Sequence, residues 1–319
     1  VCTMLPRLLQ GAAMLAVADE GLHDWPREAG ITWKENYYWN LADREAGLWG
    51  FAHISLVRTA GVAIFSTAYM ADGRARFHRN QVEIGDGEVT LDDGTLAVEV
   101  VEPFEHHRLR VAAEGLSLEL DYHARFEAFS YSGRGIAANR TDIPHLRQRR
   151  YEQGMTVTGT CGLGSGSDAR RIDIDCLGHR DHSWGRREES KIDGWNWAAV
   201  QLADKTINIT RSFSGDAYNV NGFISSAEGN VGVCEVDFET LAAEEESGAP
   251  ISTRYRFRDD LGRDWTLVSK RFSDLFASVD TARRRPSTII YENFADYLLE
   301  ETGETGWGID EYQRRQGNK

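Results

Sequence analysis

The feature that most constrains this chain is a long run of short segments alternating apolar and polar residues, punctuated by Asp-Gly pairs. Ile31–Asn40 opens the run as an aromatic-rich strand, and Asp43–Gly47 turns it. Leu48–Arg58, Gly61–Met70, Ala75–Ile84, Thr95–Val101, His106–Ala113 and Leu116–Arg125 follow, with Asp72-Gly73, Asp86-Gly87 and Asp93-Gly94 between several of them. Asp-Gly is a strong hairpin signal because glycine accepts the positive φ that a tight turn needs. Residues 127–150 break the pattern. Ser130–Gly135 is polar and glycine-rich, and Asp142–His145 reads as a short helix or lid. A second β series then runs through Tyr151–Cys161, Arg171–Leu177, Gly194–Ala203, Thr206–Phe213, Tyr218–Ser226, Val231–Phe238, Ser252–Asp259, Trp265–Phe272, Ser287–Leu299 and Gly306–Tyr312. Period-2 alternation, as in Trp195–Gln201, means one face packs while the other is wet or lines a cavity. The pattern predicts a mostly β chain in two halves, each a sandwich or barrel. The boundaries read as an N-terminal arm or helix over 1–30, a first half over 31–145 and a second half over 146–319. The similar strand counts suggest a duplicated unit, although no repeat is visible residue by residue.

Composition narrows the function. The chain has 319 residues and a formal net charge of -14. That charge argues against nucleic-acid binding, because no basic surplus exists to displace counterions. The basic run His145–Arg150 is outweighed by acidic runs such as Glu244–Glu246. No apolar stretch approaches the ~18 to 20 residues that span a bilayer. Arg7, the Leu/Ala/Met run after it and Ala16-Val17-Ala18 faintly resemble a leader. Gln10 and Gly11 interrupt that run, which reads instead as a short amphipathic helix or arm. Cys2, Cys161, Cys176 and Cys234 form no CxxC pair. Cys161 and Cys176 lie where a hairpin could oppose them, but free thiols in a cytoplasmic protein are the expected state.

One stretch concentrates functional side chains: Gly178-His179-Arg180-Asp181-His182-Ser183-Trp184-Gly185-Arg186-Arg187. If it is a strand, His182 and Trp184 share one face, and Asp181 shares the other with His179. An imidazole or carboxyl against an indole suits a tuned proton donor, and the indole face can stabilise a transient cation. The competing reading is a structural ionic network in which Asp181 pairs with Arg180, Arg186 or Arg187. A metal site from His179, Asp181 and His182, helped by His53 or His106-His107, matches no closed zinc spacing, so no metal or other cofactor is expected. A hydrolase triad is disfavoured. No G-x-S-x-G elbow is present, and Asp181, His182 and Ser183 are adjacent, whereas triad members converge from separate loops. Gly164–Ser167 reads as a hairpin loop rather than a phosphate cradle. Trp33, Tyr37, Tyr38, Trp39, Trp49 and Phe51, and the i, i+2 pair Trp195 and Trp197, are core residues or cavity walls. Glu35 and Glu311, each in an apolar strand, are either salt-bridged or cavity acids.

Glu35-Asn36-Tyr37-Tyr38, Asp43–Gly47 and Gly50-Phe51 resemble the opening of a bacterial family whose second half carries a G-H-R-D-H-S-W-G-x-R signature. Gly178–Arg187 fits that signature, Tyr151–Gly154 with Val157–Gly159 fits the segment before it, and Gly306–Gly308 with Glu311-Tyr312 looks like its closing strand. The likeness covers most of residues 30–312. That family is distantly similar to the paired-lipocalin proteins: carotenoid hydratase, tocopherol cyclase and the hydroxyneurosporene-synthase group. The resemblance implies two lipocalin-like β-barrel or sandwich halves side by side with an apolar cavity, and protonation of an isoprenoid double bond followed by capture of the cation; the residues themselves add short helices at the N-terminus and mid-chain. His182 and Trp184 match its D-H-x-W-G element. A second acid on the following strand has no clear counterpart among Asn196, Asp204 and Arg211, which leaves other lyase, isomerase or cyclase chemistry open.

The expected function is a cofactor-independent hydratase, dehydratase, cyclase or isomerase on an apolar isoprenoid-like, steroid-like or aromatic molecule. Asp181 or His182 handles the proton, beside Trp184. Tyr37, Tyr38, Trp49, Trp195, Trp197, Arg180, Arg186 and Glu311 shape or line the substrate site. The alternatives are a non-catalytic carrier of apolar ligands and a purely structural β module. A homodimer is compatible with the chain.

Overall fold

The structure, a computed structural model, describes residues 15–27, 32–85, 89–131, 146–165, 169–188, 191–245, 248–273, 276–279 and 288–315. Among these the helical content is limited to two 3-10 turns, Val17–Glu20 and Arg58–Ala60. The mid-chain helix or lid expected over Asp142–His145, and the hairpin turn at Asp86-Gly87, lie outside the described residues. No helix among the described residues is long and apolar enough to cross a membrane.

Ten strands make the first sheet: β1 Trp33–Asp43, β2 Leu48–Val57, β3 Val62–Ala71, β4 Arg74–Glu83, β5 Leu96–Glu102, β6 His106–Ala113, β7 Leu116–Ala124, β8 Phe129–Ser130, β9 Leu146–Leu163 and β10 Arg170–Arg187. Their order is β4-β3-β2-β1-β10-β9-β7-β6-β5, with β8 on β9, and the sheet curls into a half-barrel. Nine strands make the second: β11 Gly194–Gln201, β12 Lys205–Ser214, β13 Ala217–Ser226, β14 Gly229–Ala243, β15 Pro250–Asp259, β16 Asp264–Arg271, β17 Phe276–Val279, β18 Thr288–Leu299 and β19 Glu304–Arg315. Pairing of β16 with β18 closes eight of these into a barrel. Asp72 and Gly73 turn the β3–β4 hairpin with φ of 55° and 67°, as their pairing predicted.

The division of the chain differs from the boundary read at residue 146. β9 and β10 belong to the first sheet, and the C-terminal part of β10 pairs with β1, from Trp33 opposite Arg186 to Ala42 opposite Leu177. The first compact unit therefore takes Gln148–Arg187 as well as the chain up to residue 131, and the second begins at Glu188. The break at 127–150 interrupts the alternation but does not separate the halves. The chain returns to fill the gap between β1 and β7, so the signature belongs to the first unit.

The first core packs Leu41, Ile54, Phe65, Leu109, Leu118 and Leu120 on the concave side. Gly178 is required there. A Cβ at that position would lie 2.6 Å from Val157 Cγ2 and from the Asn40 carbonyl oxygen. The second core packs Ala198, Val200, Ile207, Ile209, Phe257 and Leu267 inside the barrel. Among the described cysteines, Cys161, Cys176 and Cys234 are free thiols.

Candidate functional site

Strand alternation sorts the signature into two faces. Gly178–Arg187 lies within β10, so Arg180, His182 and Trp184 point one way and His179, Asp181 and Ser183 the other. The β1 register places Trp39 opposite Arg180, Tyr37 opposite His182 and Glu35 opposite Trp184. Directly opposed residues share a face, so these six side chains collect on the concave side with the core.

The collected groups form a continuous hydrogen-bonded chain. Arg180 Nη1 donates to Glu20 Oε1 at 2.7 Å and Nη2 to Oε2 at 3.0 Å, a bidentate pair buried on both sides. The Tyr151 hydroxyl donates to Glu20 Oε1 at 2.8 Å, and its oxygen lies 3.1 Å from His182 Nδ1. His182 Nε2 lies 3.1 Å from Glu35 Oε1, and His23 Nδ1 reaches the same oxygen at 2.8 Å. The His23 backbone N–H donates to Glu35 Oε2 at 3.2 Å. The far nitrogen of His23 is itself buried and lies 3.6 Å from Asp19 Oδ1, and these two side chains, 16% and 12% exposed, are the least buried of the group. His182 itself is 1% exposed and Glu35 0%.

Charge is unevenly held along it. Burial opposes ionisation of Glu35, but hydrogen bonds from His182 and His23 hold its carboxyl down at about 2. Glu20 is held far below the ordinary carboxylate range: burial opposes ionisation, and the Arg180 charge and a hydrogen bond from His107 outweigh it. Burial pushes His182 below the ordinary imidazole range, partly offset by Glu35, so its ring is neutral at pH 7. His107 lies 2.7 Å from Arg180 Nη1, and burial with the guanidinium charge pushes it down to about 4. The ionised Glu20 and Glu35 carboxylates therefore face the neutral rings of His107 and His182.

Aromatic faces enclose the imidazoles. Tyr37 stacks on His182 at 4.0 Å between ring centroids, and Trp184 stacks on His23 at 3.8 Å. Tyr151 meets His182 edge-on at 5.3 Å, and the Arg180 guanidinium lies 4.8 Å over the Tyr151 ring. Phe104 is held at φ 63°, in the left-handed region, by its N–H donating to Glu20 Oε2 at 2.7 Å and its carbonyl accepting from Gln153 at 2.9 Å. The carboxylate that neutralises Arg180 thus also fixes the β5–β6 turn.

The opposite face of β10 is a separate ionic cluster. His179 Nε2 lies 2.8 Å from Glu152 Oε2. Arg150 Nε lies 2.9 Å from Glu152 Oε1 and 3.7 Å from Asp181 Oδ2. Burial and the Glu152 charge push Asp181 well above the ordinary carboxylate range.

The residues expected at the site therefore divide. His182, Trp184, Arg180 and Tyr37 come together, and Glu35 joins them. Arg186 is on the same face of β10 but at its end, opposite Trp33. Asp181 is on the other face. Tyr38, adjacent to Tyr37 in a strand, cannot share its wall; it packs with Phe51 and lies opposite Asp181. Trp49, half-buried on β2 opposite Ala42, is on that outward face too. Trp195, Trp197 and Glu311 lie in the second unit, where the Trp195 indole N–H donates to Glu311 and Trp197 is opposite Glu311 in register. Sequence reasoning missed Glu20, His23, Tyr151 and Gln153 and gave His107 only a remote metal-ligand role. Glu20 and His23 sit on a segment read as an arm, with no motif around them. A further property of the group is that His23, Glu35 and His182 offer one ligand atom each within 4.8 Å of one another, a set that can hold a divalent cation.

The family described as domain of unknown function DUF7064 matches residues 16–316. The chain belongs to that family. Among curated proteins, none matches it in sequence. Among solved structures it is similar to a Nitrosomonas europaea protein assigned provisionally as AttH, at 15% identity and TM-score 0.71, over 97% of this chain and 98% of that one. It is also similar to CghA, at 12% identity and TM-score 0.66 over 90% of both chains. Kievitone hydratase from Nectria haematococca matches at 13% identity and TM-score 0.61, over 94% and 93%. At these identities the likeness is one of fold.

Proposed function

We propose that the chain is a proton-transfer enzyme of the hydratase, dehydratase, cyclase or isomerase type, acting on an apolar small molecule inside the first unit. The observation that carries this reading is the chain from Glu20 through Tyr151, His182 and Glu35 to His23, which ties a fully buried imidazole to a second, less buried one. His182 is the group that exchanges the proton with substrate. In its neutral form it accepts one, and ionised Glu35 stabilises the imidazolium that results. The Tyr151 hydroxyl can serve either state, since its oxygen accepts from Nδ1–H and its proton can turn toward a bare Nδ1. In dehydration, neutral His182 takes the C–H proton on one ring nitrogen while the proton it carried on the other passes through the network to the leaving hydroxyl, which departs as water. Hydration runs these transfers backwards, so one pair of groups serves both directions. Tyr37 and Trp184 present aromatic faces to the same imidazole layer, as a cationic transition state needs. The fold shared with a named hydratase supports the class. Isoprenoid-like, steroid-like and aromatic compounds are the proposed substrates, because the polar groups share their side of the sheet with the apolar cluster of Leu41, Ile54, Phe65 and Leu120.

In this reading Asp181 is a brace that fixes β10 through Arg150. The same apolar interior favours a second reading, a carrier of apolar ligands, which needs the cavity without the proton chain. One experiment separates them. The protein is incubated with a lipophilic cell extract in heavy water, and products are followed by mass spectrometry. Wild type should add deuterium at carbon, and His182→Gln and Glu35→Gln should abolish that. Unchanged incorporation in both variants would sink the enzymatic reading, and ligand capture without any incorporation would establish the carrier.

A further inference from the structure

The wall of the second barrel is incomplete on one side. β13 pairs with β12 along its whole length, but with β14 only over Phe223–Ser226. From Val233 onward β14 pairs with β15 instead, with a bulge between Val233 and Glu235. The two strands splay, and a cleft of about 500 Å³ opens there, within the size range of small-molecule sites. Its walls include Tyr218, Val220, Val236, Phe257 and Trp265, which continue the barrel core. Arg211, Arg256 and Arg258 also line it, with Glu235, Asp237 and Asp264, and of these Arg211 reaches in among the aromatic rings. Arg211 follows Ile207 and Ile209 on the inward face of β12, and its guanidinium lies 4.9 Å over the Tyr218 ring and 5.5 Å over that of Phe238.

Arg211 Nη1 donates to Asp237 Oδ1 at 3.2 Å, but the Asp237 side chain is 71% exposed against 27% for Arg211. A single hydrogen bond to so exposed a carboxylate holds little. The remaining rim charges pair largely among themselves, Arg258 with Asp264 at 2.7 Å and with Glu235 at 3.8 Å. We infer that this cleft is a second binding site, for a small planar apolar carboxylate. The ligand carboxylate replaces Asp237 on Arg211, taking both guanidinium edges, and the ring system packs on Val220, Val236, Phe257 and Trp265. The site belongs to the second unit and shares no residue with the proton chain of the first.

The test is calorimetric titration of the full chain with sodium 2-naphthoate, and with its neutral analogue 2-naphthylmethanol. Wild type should bind one naphthoate saturably and the alcohol on the order of tenfold more weakly, because only the anion engages the guanidinium. Arg211→Gln should weaken naphthoate by a similar factor. Asp237→Asn should tighten it severalfold, an outcome that misfolding cannot produce. Glu35→Gln should leave it unchanged. No saturable binding up to about 5 mM would overturn the site, as a weaker ligand would lack the guanidinium contact. So would equal affinity of the Arg211→Gln and Asp237→Asn proteins, or an affinity that falls with Glu35→Gln and not with Arg211→Gln.

Discussion

Each unit buries a polar group inside a β-sheet wall, and the two are built on opposite principles. In the first, the carboxylates of Glu20 and Glu35 face Arg180, His182 and His23. In the second, Asp310 accepts from hydroxyls: Tyr255 on Oδ1, and Ser269 at 2.9 Å and Tyr312 at 3.1 Å on Oδ2. Burial pushes Asp310 up to about 6, whereas imidazole donors hold Glu35 down at about 2. Two carboxyls with near-total burial thus diverge because their donors differ in what they can carry. Hydroxyls orient a carboxyl but keep their own protons: burial and the Asp310 charge drive Tyr255 and Tyr312 far above the ordinary phenol range. Imidazoles can give a proton up or take one on near neutrality. The first interior is therefore equipped to move a proton, and the second to hold one in place.

The comparison breaks most visibly at Arg180. Arg180→Met leaves the Glu20 carboxylate buried against Tyr151 with its counter-charge gone, and should cost about 3–5 kcal/mol. Hydrogen exchange of β9 and β10 amides would read that loss, and the double change Arg180→Met with Glu20→Met should restore most of it. Asp310→Asn, which strands no ion, should leave those amides unchanged.

The next effect is an opposition in pH. Asp310 is raised from 3.8 to about 6, so its native form binds protons more tightly than the unfolded chain. That stabilisation is complete below pH 3.8 and lost as pH rises through 6, in all on the order of 3 kcal/mol. Glu35 is lowered from 4.5 to about 2, so its contribution is complete above pH 4.5 and lost as pH falls through 2. Corrected exchange rates in β19 should therefore rise between pH 4 and 7, while those in β1 rise below pH 4.5. Asp310→Asn should flatten the first trend alone. The same sign in both strands would end the contrast between the interiors. A smaller effect sharpens it: Glu35→Gln removes interactions that raise His182, so the His182 pKa, followed by NMR, should drop further.

Much of this was legible from alternation alone. Period 2 placed His182 with Trp184 and separated both from Asp181, because a strand leaves no choice of face once its register is set. The same rule denies adjacent Tyr37 and Tyr38 a common wall, yet both were expected at the site, and only Tyr37 faces His182. What alternation could not supply was the partner across space. Glu20 and His23 precede the first strand, and only the folded chain brings Glu20 onto Arg180, a contact 160 residues apart. The halves were misdivided for a related reason. Strand order is non-local, and nothing in Leu146–Leu163 announces that it pairs back with β7. Trp195 and Trp197 were correctly given a common face, but which unit holds the proton chain depended on that same pairing.

The smallest predicted effect bears on the signature itself. Asp181 lies between Arg180 and His182 in sequence, yet its carboxylate is directed at Arg150 on the other side of β10. Burial and the charge of Glu152 raise its pKa, which favours the protonated form beside Glu152 and Arg150. Asp181→Asn keeps a donor toward Glu152 and adds no unpaired charge. It should shift stability by no more than about 1 kcal/mol. Deuterium incorporation should survive in this variant within about threefold, against a loss of 10²-fold or more, roughly the contribution of a positioned acid or base, for His182→Gln. Equal losses in the two variants would mean that the proton crosses the sheet through the outer cluster. Asp181 would then be part of the path, and the division of labour between the two faces of β10 would fail.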